Sequence, residues 1–366
     1  MATRRHVLRI LGGGTILAAA GVGAFAATRT PTAALRPWAE AGLPTEPRRR
    51  ALSYAILAPN PHNRQPWVVD LDTPDTVVIW RDRTLNLPQT DPHDRQLTIG
   101  MGCFIELMSI AASQTGHAVR ATLFPEGEAG PVAIAQFGPG AAPDPLFAHV
   151  MERRSAKVPF EPTPLGAAEA DALSPYASIE TAPDRVAALR DLTSAAWLIE
   201  AQTPRTHKES VDLFRMGRAE IEANPDGIGI GGAFLEGLML VGQLSREGLA
   251  DPASPQFAQT VGIYRAMLAA TPAYAVVTTP GNDRTDQIAA GRRWLRLNLA
   301  ATGLGLSLHP VSQALQEYPE MVEQRAACHA LLAQPGETVQ MLGRLGRAPR
   351  QPRTPRWPLE TRIRHG

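Results

Sequence analysis

Residues 95–117 read "RQLTIGMGCFIELMSIAASQTGH" and residues 286–305 read "DQIAAGRRWLRLNLAATGLG". Each predicts a helix, and each ends in Thr-Gly, at 115–116 and at 302–303, where glycine can take the left-handed conformation that closes a helix. The first run is apolar nearly all round, which predicts burial on most sides. The continuations match as well. "VRATLFP" (119–125) comes after the first helix and "LSLHPV" (306–311) after the second, each reading as a short strand near a proline. Helix, Thr-Gly cap and strand thus occur twice, 187 positions apart (302 minus 115). A period that long means either an old domain duplication fused in one chain or two αβ connections that arose independently; it does not mean a solenoid.

Working outward, Pro47 opens a helix with Ala51/Ala55 and Leu52/Ile56 at four-residue spacing, and the Pro59 region stops it. "WVVDLDTPDTVVIWRD" (67–82) predicts two β-branched strands about a Thr-Pro-Asp turn, and "PVAIAQFG" (131–138) a further strand. "GPGAAPDP" (138–145) is the clearest linker, and "AYAVVTT" (273–279) a strand of the second half. Helices alternating with strands predict an α+β fold with a mixed sheet. The expected divisions are a leader at 1–27, one half at 45–145 and another at 146–362.

With 44% hydrophobic and 19% charged residues the chain is globular, and a net charge of +1 gives no reason to expect a nucleic-acid partner. Cys103 and Cys328 stand far apart with no metal-ligand spacing around them, which leaves two readings, buried free thiols first and one long-range disulfide in an oxidising compartment second. The leader carries paired arginines in "TRRHVLR" (3–9), a moderately apolar Gly/Ala run, and the small-x-small site "AFA" (24–26). It reads as a twin-arginine export signal cleaved after Ala26. The implied partner is the twin-arginine translocase, and the implied location is the periplasm or cell envelope, with no stable membrane insertion. That route carries folded proteins and suits a chain that takes up its cofactor before export.

The string Gly227-x-Gly229-x-x-Gly232 lacks a strand signal before it, so a dinucleotide site is not expected there; 223–249 reads as a flexible loop or lid. "ERRSAKVPF" (152–160) gathers Arg153, Arg154, Ser155 and Lys157, and Lys157 is one of only two lysines. Alternation in an extended chain puts Arg153, Ser155 and Lys157 on one side, as a phosphate clamp requires. Near the C-terminus Arg350, Arg353 and Arg356 recur at three-residue spacing between prolines, a second cationic rail, and Trp357 and Leu359 need something to pack against. Finally, "APNPHNRQPW" (58–67) puts a His, two Asn, a Gln and a Trp where a plain turn needs none of them.

Together "RRSAK", "APNPHNRQPW", "GLGLSLHPV" and "PRWPLE" resemble the motifs of the nitroreductase family of flavoproteins, specifically its fused, Acg-like branch, over about 45–362. In the usual member the Arg-Arg-Ser element precedes the Asn-x-Gln-Pro-Trp element in one subunit, and FMN lies at the interface of two subunits. Here the first half has only the Asn-x-Gln-Pro-Trp loop and the second only Arg-Arg-Ser. The resemblance therefore implies a monomer acting as an internal dimer with one complete FMN site. It implies that Arg153, Arg154, Ser155 and Lys157 bind the phosphate and ribityl chain, with Arg356 and Arg353 beside the phosphate. It places Asn63 as a hydrogen-bonding partner of the flavin, Pro59 and Asn60 along its ring, and Pro310, Val311 and Ser312 against the isoalloxazine, with the N–H of Ser312 or Gln313 directed at N5. Asn60-Pro61 and Ser312-Gln313 depart from the family pattern, and Arg215 or Arg218 stands in for a missing Asn-x-x-Lys.

The implied activity is transfer of two electrons from NAD(P)H through FMN to a small-molecule acceptor, nitroaromatic or quinone-like, with no catalytic side chain required. The alternatives are a non-catalytic FMN store closed by the 223–249 lid, and a periplasmic protein binding some other ligand.

Overall fold

The computed structural model describes Phe25 and residues 28–364. The leader and its cleavage site, Phe25 apart, lie outside the described residues. Among the described residues ten strands occur: β1 Trp67–Asp70, β2 Thr76–Arg81, β3 His117–Leu123, β4 Ala133–Pro139, β5 Ser178–Glu180, β6 Phe214–Met216, β7 Ile228–Ile230, β8 Ala273–Thr279, β9 Ser307–Pro310 and β10 Thr338–Gly346. They form a four-stranded sheet in the order β1-β2-β4-β3, a second in the order β5-β8-β10-β9, and a pair β6-β7.

The two larger sheets have the same plan. Each is antiparallel throughout, and each sends one long helix from its second strand in sequence to its third: Arg95–Ser113 between β2 and β3, and Arg284–Gly303 between β8 and β9. The α+β expectation holds. The sheets are mixed only at their edges, where Val69 bridges Ile363 in parallel and Ser155 bridges Leu308 in parallel. The C-terminal run therefore completes the edge of the first sheet, with Arg364 N–H donating to Val69 O at 2.9 Å.

β1 and β2 are joined by a tight turn, whereas β5 and β8 are separated by residues 181–272, which hold the helices Pro183–Gln202, Pro204–Asp212 and Pro255–Ala269 and the β6-β7 pair. The sequence predicted an insertion of 223–249 only. Alternation explains why β8 is buried on both faces. Ala273, Ala275 and Val277 face a core shared with both long helices, while Tyr274 and Val276 face a second core under the insertion.

The two long helices cross glycine on glycine. A Cβ on Gly102 would lie 2.3 Å from Ile288 O, and one on Gly291 would lie 2.0 Å from Ile99 O. The contacts are reciprocal, and the paired residues are 189 positions apart (291 minus 102), as are Asp94-Arg95 and Asp283-Arg284 at the helix starts. The repeat is Asp-Arg-x-x-x-Ile-x-x-Gly, two positions out of step with the Thr-Gly caps. Arg95 reaches into the opposite half, donating to Gln340 O and Leu315 O at 2.8 Å each. Arg284 does the same in return, donating to His93 O at 2.8 Å and pairing with Glu128 at 2.9 Å. Cys103 and Cys328 are free and buried; Gly116 has the expected positive φ of 76°, whereas at the second helix the left-handed residue is Gly305 (φ 71°), two positions beyond Gly303.

Because neither glycine tolerates a methyl group, Gly102→Ala and Gly291→Ala each lower the unfolding free energy by about 1–3 kcal/mol. Gly262→Ala, exposed in helix Pro255–Ala269 with open space around it, raises it by up to about 1 kcal/mol. Chemical denaturation of the three variants checks this; equal effects in all three would show that the crossing is not tight.

Candidate functional site

The 58–67 loop is backbone under strain. His62 (φ 47°), Asn63 (φ 53°) and Gln65 (φ 51°) all take the left-handed conformation without being glycine, a concentration that costs of order 1–3 kcal/mol per residue unless the surroundings enforce it. They do enforce it. Asn60 Oδ1 accepts from the Gln65 N–H at 2.8 Å, so the side chain expected along a flavin ring holds the loop itself. Gln65, fully buried, donates to Pro225 O at 2.7 Å and accepts from the Trp357 N–H at 2.9 Å. Arg64 is paired with Asp226, which also pairs with Arg215 at 2.8 Å. The loop lies on helix Arg95–Ser113 at Gly100, where a Cβ would come within 3.2 Å of Asn60 and Pro61.

Asn63 is the meeting point with the C-terminal run. Its Oδ1 accepts from Arg356 at 2.6 Å, and its amide donates to Pro355 O at 3.1 Å and Pro225 O at 3.3 Å. Both of its amide N–H groups and one lone pair of its Oδ1 are thus engaged within the protein. The site expected between two halves is a junction of three parts: the loop, the insertion and the C-terminal run. Arg215 and Arg218 are not at that junction as free cations; Arg215 pairs with Asp226, and Arg218 with Glu222 at 3.2 Å.

Beside the loop the two cationic segments come together. Arg153 and Arg356 both donate to Leu57 O, at 3.0 and 3.2 Å. The guanidinium carbons of Arg154, Arg353 and Arg356 lie 4.5, 5.6 and 5.8 Å from the ring centre of one residue, Trp38, within cation–π range. Trp38 is itself buried, with its Nε1 donating to Thr354 O at 2.8 Å. It stands on helix Thr32–Glu40, directly after the leader, and Ala34 O of the same helix accepts from the Arg356 N–H at 2.9 Å.

This cluster has little counter-charge: Glu152 is the one carboxylate that acts on Arg154. Among the described residues no carboxylate pairs with Arg153, Arg154, Arg353 or Arg356; only the outlying Arg350 has one, Glu152 at 2.5 Å. Burial, followed by the charges of Arg153 and Arg154, pushes the Arg356 guanidinium down to about 9. Burial, followed by Arg153, Arg350 and Arg353, pushes Arg154 down to about 10. Burial pushes Arg153 down to about 10 as well. The Nε atoms of Arg154 and Arg356 are buried without a hydrogen-bond partner. Buried cations and orphaned donors are costly, and a phosphate dianion supplies the charge and the acceptors they lack. The residues present therefore fit a phosphate-bearing cofactor.

The opposite wall is built on β9. Ser155 bridges Leu308, and the Ala156 N–H donates to Leu308 O at 3.2 Å, so the clamp segment runs beside β9; Arg153 is buried and Lys157 exposed, so the side chains expected on one side do not share one environment. Pro310 is half-buried and Val311 and Ser312 are buried; the Ser312 hydroxyl faces Met341 Sδ at 3.9 Å. Lys157 is exposed, and its charge acts on three groups from three other segments. His62 is pushed down to about 4 by burial, then by Lys157 and Arg64. His309 is pushed well below its ordinary value by burial, then by Lys157 and by Arg344, which lies 3.1 Å from its Nδ1. Both imidazoles are neutral at physiological pH.

The third group is Glu200, on helix Pro183–Gln202. Burial pushes its carboxyl up to about 7, against hydrogen bonds from Gln316 and Gln313 and against the charge of Lys157. Gln316 Nε2 donates to Glu200 Oε2 at 2.5 Å, while Gln316 Oε1 and the Tyr318 hydroxyl are buried without partners. Trp38, Glu200 and Gln316 were not singled out in the sequence. The signal for Trp38 was an aromatic residue with no apolar periodicity around it; a glutamate within a helical run carries none.

Glu200 makes stability depend on pH. Its folded pKa, about 7, exceeds the ordinary 4.5, so the folded state holds the proton longer, and its contribution is complete below about pH 4.5 and lost as pH rises through 7. The stability of wild type relative to Glu200→Gln therefore falls by up to about 3 kcal/mol between those limits. Urea unfolding of both proteins across that range checks it, and a constant difference would refute it.

No protein-family description matches the chain, and no curated protein matches it. Among solved structures it is similar to a nitroreductase-like family protein from Bacillus cereus, at 14% identity and a TM-score of 0.32, over 61% of this chain and 96% of that one. It is also similar to the FMN-dependent nitroreductase NfnB from Mycobacterium smegmatis in complex with NADPH, at 16% identity and a TM-score of 0.37, over 60% of this chain and 98% of that one. At these scores, function has to be argued from the residues of this chain.

Proposed function

We propose that this chain is an FMN-binding oxidoreductase of nitroreductase type, built as an internal pseudo-dimer and exported by the twin-arginine translocase after loading. The reading rests on one observation: Arg154, Arg353 and Arg356 gather around Trp38 with Arg153 beside them on Leu57 O, none of the four ion-paired among the described residues and two of them with orphaned buried Nε atoms. The repeated strand order and the reciprocal Gly102–Gly291 crossing support the pseudo-dimer.

Arg154, Arg353 and Arg356 hold the phosphate, and Arg153 aligns Leu57 and Ser155 beside it. The 58–62 segment, Pro310–Gln313 and Lys157 would receive the ring system. Bound FMN supplies hydride chemistry, taking two electrons from NAD(P)H and passing them to a nitroaromatic or quinone-like acceptor. With His62 and His309 neutral, Lys157 is the exposed cation of this wall, suited to developing negative charge on the cofactor or acceptor. One feature favours the second reading, an FMN store: the insertion closes on the loop through Pro225, which takes hydrogen bonds from both Asn63 and Gln65.

Arg353 is exposed, so Arg353→Ala leaves the fold intact. It weakens FMN binding about tenfold, as expected for one lost charge-assisted contact, and leaves riboflavin binding unchanged; equal loss for both ligands would place the phosphate elsewhere. Addition of NADPH to the anaerobic FMN-loaded protein bleaches the flavin within seconds if the chain is an oxidoreductase. Flavin that stays oxidised identifies the store.

A further inference from the structure

Residues 28–38 touch both the insertion and the arginine cluster. At one end Arg218 donates to Thr28 O at 2.9 Å, Arg29 pairs with Glu236 at 3.2 Å, and the Ala33 N–H donates to Glu222 at 3.2 Å. All three partners belong to the insertion, Arg218 and Glu222 to helix Gly217–Ala223 and Glu236 to helix Ala233–Leu240. At the other end Ala34 O accepts from the Arg356 N–H at 2.9 Å, and Trp38 Nε1 donates to Thr354 O at 2.8 Å. The Trp38 ring receives Arg154 from the clamp segment and Arg353 and Arg356 from the C-terminal run.

Helix Ala233–Leu240 buries its acid instead of its apolar side chains. Glu236 is its one buried residue, while Phe234 and Leu240 are 76% and 74% exposed. The Glu236 carboxylate accepts from the Arg218 and Gly232 N–H groups at 3.0 and 3.3 Å. Among the described residues Arg29 is the cation paired with it. A buried carboxylate stripped of its cation is costly, so Arg29 carries weight in this contact although its own side chain is 36% exposed.

The two ends are linked through charge. With residues 34–38 in place, three guanidiniums from two segments crowd one ring, and like charges at that spacing repel. Withdrawal of the stretch lets them separate into water. A dianion among them removes the repulsion, so it binds the docked arrangement better than the withdrawn one. A difference in affinity of that kind is what allows a ligand to shift an equilibrium, and by linkage docking then tightens the hold on the dianion.

We propose that residues 28–38 are a latch on the phosphate clamp, fastened to the insertion by Arg29–Glu236 and to the arginines by Trp38, so that phosphate binding and latch closure strengthen each other. Arg29 is thereby a positioning residue, acting on the clamp through Trp38. The assignment rests on the phosphate reading of the clamp. It makes release of a phosphorylated cofactor depend on the opening of this stretch.

The test uses the full-length chain as wild type, Arg29→Ala and Arg29→Lys, with FMN and riboflavin as probes. Hydrogen exchange of residues 28–40 is followed by mass spectrometry, and both dissociation constants by flavin fluorescence. In wild type, saturating FMN slows exchange of 28–40 and riboflavin does not. Arg29→Ala weakens FMN binding, leaves riboflavin binding unchanged and abolishes the protection, and Arg29→Lys restores part of each. By reciprocity the protection and the loss of affinity are of one size, about fivefold or more. Preference for FMN over riboflavin with no FMN-dependent protection of 28–40 in wild type overturns the latch and leaves the phosphate reading intact, whatever the stability of the variants. Arg29→Ala with wild-type FMN affinity, or weakened alike for both flavins, also overturns the latch alone. Equal binding of FMN and riboflavin by wild type, or binding of neither, overturns the phosphate reading and the latch together.

Discussion

Two helices cross where neither carries a side chain. Gly102 and Gly291 let the backbones of Arg95–Ser113 and Arg284–Gly303 approach until each is limited by a carbonyl oxygen of the other, Ile288 O and Ile99 O. A single hydrophobic core then runs through both sheets, and the distance between the halves is fixed by hard contact. The 58–67 loop rides on the first of these helices at Gly100, and β9 comes directly after the second. Both walls of the candidate site are thus positioned from the crossing. The reciprocal reach of Arg95 and Arg284 into opposite halves adds register to a contact that packing alone would leave free to slide.

Against this rigid frame stands an electrostatic deficit. Proteins ordinarily pair or expose their arginines, yet Arg153 and Arg356 are buried here and share the carbonyl of Leu57, while Arg154 and Arg353 gather on Trp38. The aromatic face and backbone carbonyls offset only part of the desolvation. Holding like charges together has an obvious use when an anion is to be received. The strained left-handed residues His62, Asn63 and Gln65 are next to this cluster, and strain of that kind persists at functional sites because the surroundings over-determine it. Helix Thr32–Glu40 closes the cluster from one side through Trp38 and Ala34.

Much of this was legible in the sequence, and for identifiable reasons. Both long helices, the 67–81 hairpin, β3, β4, β8 and β9 follow from apolar runs, β-branched composition and Thr-Gly caps, which are local signals. The clamp segment drew attention through its density of cations, but the burial of Arg153 against the exposure of Lys157 was not legible from alternation. The true register of the repeat was hidden because the Thr-Gly caps are 187 positions apart while the crossing glycines are 189 apart; the caps reflect where each helix happens to end. The full insertion, 181–272, was not legible, since β5 has only three residues and the helices after it look like any others. The resemblance aims Asn63 at a ligand, but its side chain is occupied by Arg356, Pro225 and Pro355. Long-range hydrogen bonds of that sort leave no trace in a single sequence, and neither does the burial that shifts Glu200.

The central claim is that two unequal halves frame one phosphate-bearing flavin site per chain. Fluorescence titration of the cofactor-free protein with FMN tests it most directly. The account predicts saturation at one FMN per chain, with the signal from the single bound population reversed by excess FMN analogue carrying the same phosphate. No binding, or saturation at two per chain, would contradict it.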